Sequence, residues 1–225
     1  MSRGGSLAPL VPLVPLVAGI AGPAVVGGCA AVTALAYRGT AGQPYSPLSH
    51  WISELGEEGV SNLAAVFNGG ALVGGACLSA LMVSLARARG GRLARVYGRI
   101  GAVAGIAGSL VGLFPMNRIL PHAIVSTSFF NLTALAIALA SIDFAARPDG
   151  RFGAVQAGLG AVSSAAFLVF GVVALEAIRE QGLAALEPPI VREEISLLTT
   201  LEWAALLSIM AWVVATAAGW ARDAS

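Results

Sequence analysis

The sequence predicts an all-α integral membrane protein, one bundle of six transmembrane helices with both termini in the cytoplasm. Three observations predict it. Only 11% of the residues are charged and 57% are hydrophobic, whereas soluble domains carry about 25% charged residues. Six apolar runs each reach the roughly 20 residues that cross a hydrocarbon core. Arginines and acids segregate to alternate linkers. Mean hydropathy is +0.82, so lipid must be the solvent for much of the chain. A soluble second domain has no room in 225 residues.

The runs fall at about 12–36, 61–86, 97–115, 122–145, 153–176 and 196–220. Backbone in lipid is satisfied only in helices or closed barrels, and runs this continuous exclude the short alternating strands of a barrel. In the first run, Pro9, Pro12 and Pro15 delay the helix start, because proline lacks a backbone donor, and Pro23 kinks it. Its length and single preceding arginine, Arg3, favour a retained span over a cleaved leader, although Ala34-Leu35-Ala36 has the form of a cleavage site. The second run carries Gly70 and Gly74. In the third, Gly98, Gly101, Gly105, Gly108 and Gly112 alternate spacings of three and four. That makes a smooth stripe for close helix contact, with another span of this chain or with a second copy in a homo-oligomer. The two cysteines, Cys29 and Cys77, lie inside apolar runs and read as small buried hydrophobes.

Charge sets the orientation. All 13 basic residues are Arg. Arg3, Arg87, Arg89, Arg92, Arg95, Arg99, Arg147, Arg151 and Arg222 fall on one side. The other side has Arg38, Arg118, Arg179 and Arg192 but nine of the 12 acids: Glu54, Glu57, Glu58, Glu176, Glu180, Glu187, Glu193, Glu194 and Glu202. Positive loops stay in the cytoplasm. The expected location is the plasma membrane of a prokaryote, as a multi-pass protein. The arginines between spans two and three form an inner loop that sets topology or grips anionic lipid. Membrane lipids are the expected partners, and nucleic acid is not. Asp143, near the inner end of span four, is expected to be neutralised by Arg147 or Arg151.

The most informative segment joins spans one and two: Tyr45-Ser46-Pro47-Leu48-Ser49-His50-Trp51-Ile52-Ser53-Glu54-Leu55-Gly56. Ser46 as N-cap before Pro47, with Gly56 as the stop, predicts a short outer interfacial helix over 45–56. Leu48, Ile52 and Leu55 share one face. His50 and Glu54, four apart, project from the same side. Trp51 suits the wet edge of the interface. His122 opens span four after Phe114-Pro115-Met116-Asn117-Arg118. Glu202 lies about two turns into span six. An ionisable group inside a span marks a functional site by default.

The topology places these residues on one membrane face, so His50, Glu54, His122 and Glu202 are the candidate catalytic groups around an outward pocket. Ser49, Trp51, Asn117 and Arg118 are the candidate ligand contacts, with Arg118 for an anion. His50, Glu54 and His122 are the candidate metal ligands. The same groups also read as a polar cap that pins the outer helix to the bundle. No H-E-x-x-H or G-x-S-x-G motif specifies a reaction, and the cofactor is left unknown, with His50 and His122 as conceivable axial haem ligands. The functional readings are a binding protein for a lipid headgroup or small ligand, an intramembrane enzyme acting on a lipid or isoprenoid, and a small transporter. The last lacks a polar path through the inner half.

The Tyr45–Gly56 segment resembles the "YSPL…ISELG" motif of a bacterial and archaeal six-span family known only as a domain of unknown function (number nine-nine-eight). Phe114-Pro115 followed by His122 is similar to that family's second motif. The likeness covers nearly the whole chain. It implies a six-span fold and a shared outer site, and it supplies no reaction. Family members often carry an acid after the Phe-Pro turn where Asn117 stands here, which weakens a metal-ligand role at that place. A more distant similarity reaches the eukaryotic autophagy-modulator and FGF-receptor-activating membrane proteins, which share an "ISE" segment and a comparable His.

Overall fold

A computed structural model describes residues 13–189 and 192–222. Arg3, Pro9 and Pro12 lie outside the described residues. The chain forms α1 (Leu13–Ala36), α2 (Ala64–Arg89), α3 (Gly91–Leu113), α4 (Ile119–Ala146), α5 (Ala154–Gln181) and α6 (Leu197–Ala221). Two short 3₁₀ helices, Ile52–Gly56 and Gly182–Leu186, sit in the connections. All six long helices are long and apolar enough to cross a membrane. No strand occurs among the described residues.

Each helix packs against its sequence neighbours, and α1 closes onto α6, so the six form a ring. Neighbours run antiparallel. The connections therefore alternate between two ends, called here the Glu54 end and the Asp143 end. Large apolar side chains such as Val17, Ile106, Ile124, Val162, Val172 and Leu207 are exposed around the outside. A belt of that extent on a soluble protein is an aggregation surface; here it faces lipid. Helix α1 starts at Leu13 and runs on through Pro23.

The five arginines expected in a loop are on helices. α2 continues to Arg89 and α3 begins at Gly91. Gly90 and Gly91 reverse the chain with φ of +63° and +83°, a left-handed conformation that residues with a Cβ rarely adopt. A reversal this tight leaves Arg87 and Arg89 on α2, and Arg92, Arg95 and Arg99 on α3.

The glycine stripe of α3 is occupied by this chain's own α2. A Cβ on Gly98 would meet Ala86, on Gly101 Met82, and on Gly112 the backbone of Asn68. A Cβ on Gly108 would meet Phe129 of α4. At Gly105 it would stand 2.6 Å from the Ser79 amide nitrogen. A backbone atom cannot swing away as a side chain can. Gly105→Ala is expected to destabilise the protein by about 1–3 kcal/mol, measured as the shift in thermal unfolding in detergent. An unchanged midpoint contradicts this contact.

Toward the Asp143 end the interior is packed with large side chains. Leu81, Leu85, Tyr97, Phe144, Phe152 and Trp212 are fully buried. Phe144 and Phe152 stack at 5.1 Å. Arg89 lies beside the pair, its guanidinium 5.6 Å and 5.8 Å from the two ring centres. It donates to Asp143 at 2.8 Å and pairs with Asp149. Arg147 also pairs with Asp143, as expected from the sequence, and the Tyr97 hydroxyl donates to it at 3.3 Å. Burial opposes ionisation of Asp149. Amides of Phe152 and Arg151, with Arg89, outweigh it and hold that carboxyl below its ordinary value.

Candidate functional site

The 45–56 segment is a cap seated in the Glu54 end rather than one continuous helix. Ser46 accepts from the Ser49 and His50 amides, closing a single turn. The chain then extends at Trp51 and resumes as the 3₁₀ helix. Carboxylates cause the break. The Trp51 amide donates to Glu54 Oε1 at 2.8 Å, and the Ile52 amide donates to Glu202 Oε2 at 2.7 Å. Both donors are lost to a helical ladder, because a side-chain acceptor competes with the backbone. Trp51 is buried, edge-on to Phe170 at 6.3 Å, and not at a wet interface.

Glu54 is the centre of the cap and is 0% exposed. Besides the Trp51 amide it accepts from the Tyr37 hydroxyl at 3.1 Å. Arg192 adds two bonds, at 3.0 Å and 2.6 Å, the two-point geometry that suits guanidinium to carboxylate. Arg192 also donates to the Ser49 carbonyl. The Leu48 carbonyl accepts from the Ser196 amide and the Thr199 hydroxyl. The loop before α6 is thus strapped across the cap.

His50 belongs to the same layer. It is 2% exposed and packs on Tyr37 and Tyr45, with ring centres 5.5 Å and 5.2 Å away. Tyr45 in turn accepts from the Trp203 indole. His50 Nδ1 is 3.2 Å from the Ser46 amide and 3.2 Å from the Ser46 carbonyl, and Nε2 has no hydrogen-bond partner among the described residues. Burial, then the nearby Glu54 and Arg192 charges, act on this imidazole, and the net effect lowers its pKa below 6.5. Burial and the Glu54 charge raise the pKa of the Tyr37 phenol, and burial with Glu202 raises that of Tyr45. Burial and Glu54 also raise Glu57.

The folded protein binds fewer protons at His50 than the unfolded chain does. Its contribution is neutral above about pH 6.5 and becomes unfavourable as pH falls below that value. Thermal midpoints are expected to drop in that window, and His50→Phe, which keeps the ring packing, should flatten the drop. Equal slopes in both proteins contradict this account.

His122 and Glu202 form a deeper layer. His122 Nδ1 donates to the Phe114 carbonyl at 2.8 Å, so the neutral ring carries a lone pair at Nε2. Both residues line each of two cavities that meet beneath the cap. One, of about 140 Å³, lies inside the ring among α1, α2, α3, α4 and α6. The other, of about 170 Å³, lies between α4, α5 and the cap. Ser53, Ser126 and Phe130 also border both. The second reaches exposed Asn131 and Leu175, so it opens sideways between α4 and α5.

The four candidate catalytic residues therefore share one end of the bundle but not one pocket. His50 and Glu54 are spent on packing and ion pairing, while His122 and Glu202 face open space. No three His, Cys, Asp or Glu side chains among the described residues could hold a metal ion together. Of the metal candidates His50, Glu54 and His122, Glu54 already accepts from Arg192 and the Trp51 amide. Asn117 is not at the cavities. Its amide clasps the Glu58 backbone from both sides, at 2.7 Å and 2.9 Å. Arg118 is exposed and lines neither cavity. The arginine that meets a buried carboxylate at this end is Arg192, paired with Glu54. Its one legible sign was a lone arginine beside Glu193 and Glu194 in an acidic loop.

These features define an all-α, multi-pass membrane bundle with a strapped polar cap over two small cavities. The chain belongs to the family described as protein of unknown function (DUF998), whose model matches residues 25–219. No curated protein and no solved structure matches it.

Proposed function

We propose that this chain is a plasma-membrane protein of a prokaryote that binds a small lipid-like molecule in the two cavities at the Glu54 end, with that end facing outward. The observation that carries the proposal is the shared wall of His122, Ser126, Phe130 and Glu202 between two largely apolar cavities, one open to the side. A dry engineered cavity of about 150 Å³ takes up benzene, so each space suits an apolar fragment of that size. The orientation rests on the arginines gathered at the Asp143 end. The packed core there supports binding over transport.

Binding of a radiolabelled medium-chain alkyl probe to the protein in nanodiscs tests the proposal. Ser126→Phe puts a ring into the shared wall and is expected to weaken specific binding by about tenfold. Equal binding by folded Ser126→Phe and the parent protein counts against the site.

A further inference from the structure

Resting on the proposal that the cavities bind an amphipathic molecule, we infer that its polar group is a hydrogen-bond donor, a hydroxyl or an amine, and not a phosphate or carboxylate. The open polar atom of fixed character along the shared wall is an acceptor, His122 Nε2. His122 Nε2 is a lone pair because Nδ1 donates to Phe114. Glu202 Oε2 is taken by the Ile52 amide, and Oε1 has no partner among the described residues. Ser126 donates to the Ala123 carbonyl and Ser53 to the Met116 sulfur, so in these rotamers both turn lone pairs to the cavities. In the second cavity one Asn131 amide N–H donates to the Thr127 carbonyl, which leaves the side-chain oxygen to accept and the other N–H to donate.

Among the described residues, no Arg or Lys lines either cavity. The nearby guanidinium, Arg192, is committed to Glu54 by two bonds. An anionic headgroup placed here meets a carboxyl and several lone pairs with no cation to offset them, and a buried charge without a partner is strongly disfavoured. A donor headgroup instead satisfies acceptors that are otherwise left open. The headgroup sits at the wall, with one apolar part in the inner cavity and any longer chain leaving between α4 and α5.

The test is competition against the alkyl probe in phosphatidylcholine nanodiscs by 1-octanol, octylamine, octyl methyl ether and octyl phosphate. Octanol or octylamine is expected to displace the probe about tenfold better than the ether and the phosphate. His122→Phe should bring octanol level with the ether, and Glu202→Gln should weaken octylamine selectively if the amine is the stronger of the two. Ether or phosphate competing as well as the alcohol and amine overturns the donor assignment while leaving the cavity site standing. If none of the four displaces the probe, the cavity site itself fails and the assignment falls with it. The comparison among the four competitors uses the unaltered chain, so it stands even if a variant does not fold.

Discussion

Arg192→Met is expected to destabilise the protein by about 3–5 kcal/mol, the usual effect of removing one partner from a buried ion pair. Glu54 has no exposure, and Arg192 supplies two of the four donors that surround it. Without the guanidinium, the carboxylate stays buried beside Glu202 and Glu57 with only the Trp51 amide and the Tyr37 hydroxyl. The cap should then loosen before the helices do. Thermal unfolding and proteolysis within residues 45–56 measure this. Adding Glu54→Gln to Arg192→Met removes the stranded charge while keeping an acceptor for the Trp51 amide, so it should recover more than half of the loss. If the single variant is as stable as the parent, the strap is ornamental and the cap is held by apolar packing alone.

Arg89→Leu is expected to produce a loss of similar size, about 3–5 kcal/mol, at the opposite end. The Arg89 side chain is 5% exposed and that of Asp143 is 1% exposed. Arg89 ties α2 to α4 through Asp143 and to the α4–α5 loop through Asp149 and the Arg147 carbonyl. Leucine keeps the contact with Phe144 and Phe152 but leaves Asp143 with Arg147 and Tyr97 only. Arg89→Lys should recover part of the stability, because an ammonium keeps the charge but not the fork that reaches several acceptors. Hydrogen exchange in residues 147–153 provides the local readout. Unchanged protection there in folded Arg89→Leu contradicts the role assigned to this arginine.

The six-helix architecture was legible because apolar length and charge asymmetry are properties of the chain that no tertiary contact can override. The small-residue face of α3 was equally plain, since Gly98 to Gly112 share one side of a helix. Its partner was not, because nothing in the spacing distinguishes α2 from a second copy. The candidate site was legible only in part. His50, Glu54, His122 and Glu202 stood out as rare ionisable groups at one end. Their division into a locked layer and an open layer depends on Arg192, 138 residues from Glu54 in sequence. The same remote contacts break the expected 45–56 helix, for Glu202 captures the Ile52 amide across 150 residues. Arg89 was hidden for another reason. It lies among four other arginines that read as topology signals, and only the Gly90-Gly91 reversal turns it inward onto Asp143.

The two ends divide the protein's work. Arg89, the aromatic stack and Asp143 fix one half of the bundle as a packed base. The strapped cap closes the other half over space that the helices do not fill. The proposal depends on that space accepting a lipid-like guest.

Photo-crosslinking with a diazirine-bearing alkyl alcohol, followed by peptide mapping, tests this most directly. The account predicts label on α4 between His122 and Asn131 and on α6 between Glu202 and Met210, displaced by unlabelled alcohol. Label confined to outward residues such as Ile106, Val172 and Leu207, and indifferent to competitor, would mean that the probe sees only the lipid-facing belt and that the cavities hold no ligand.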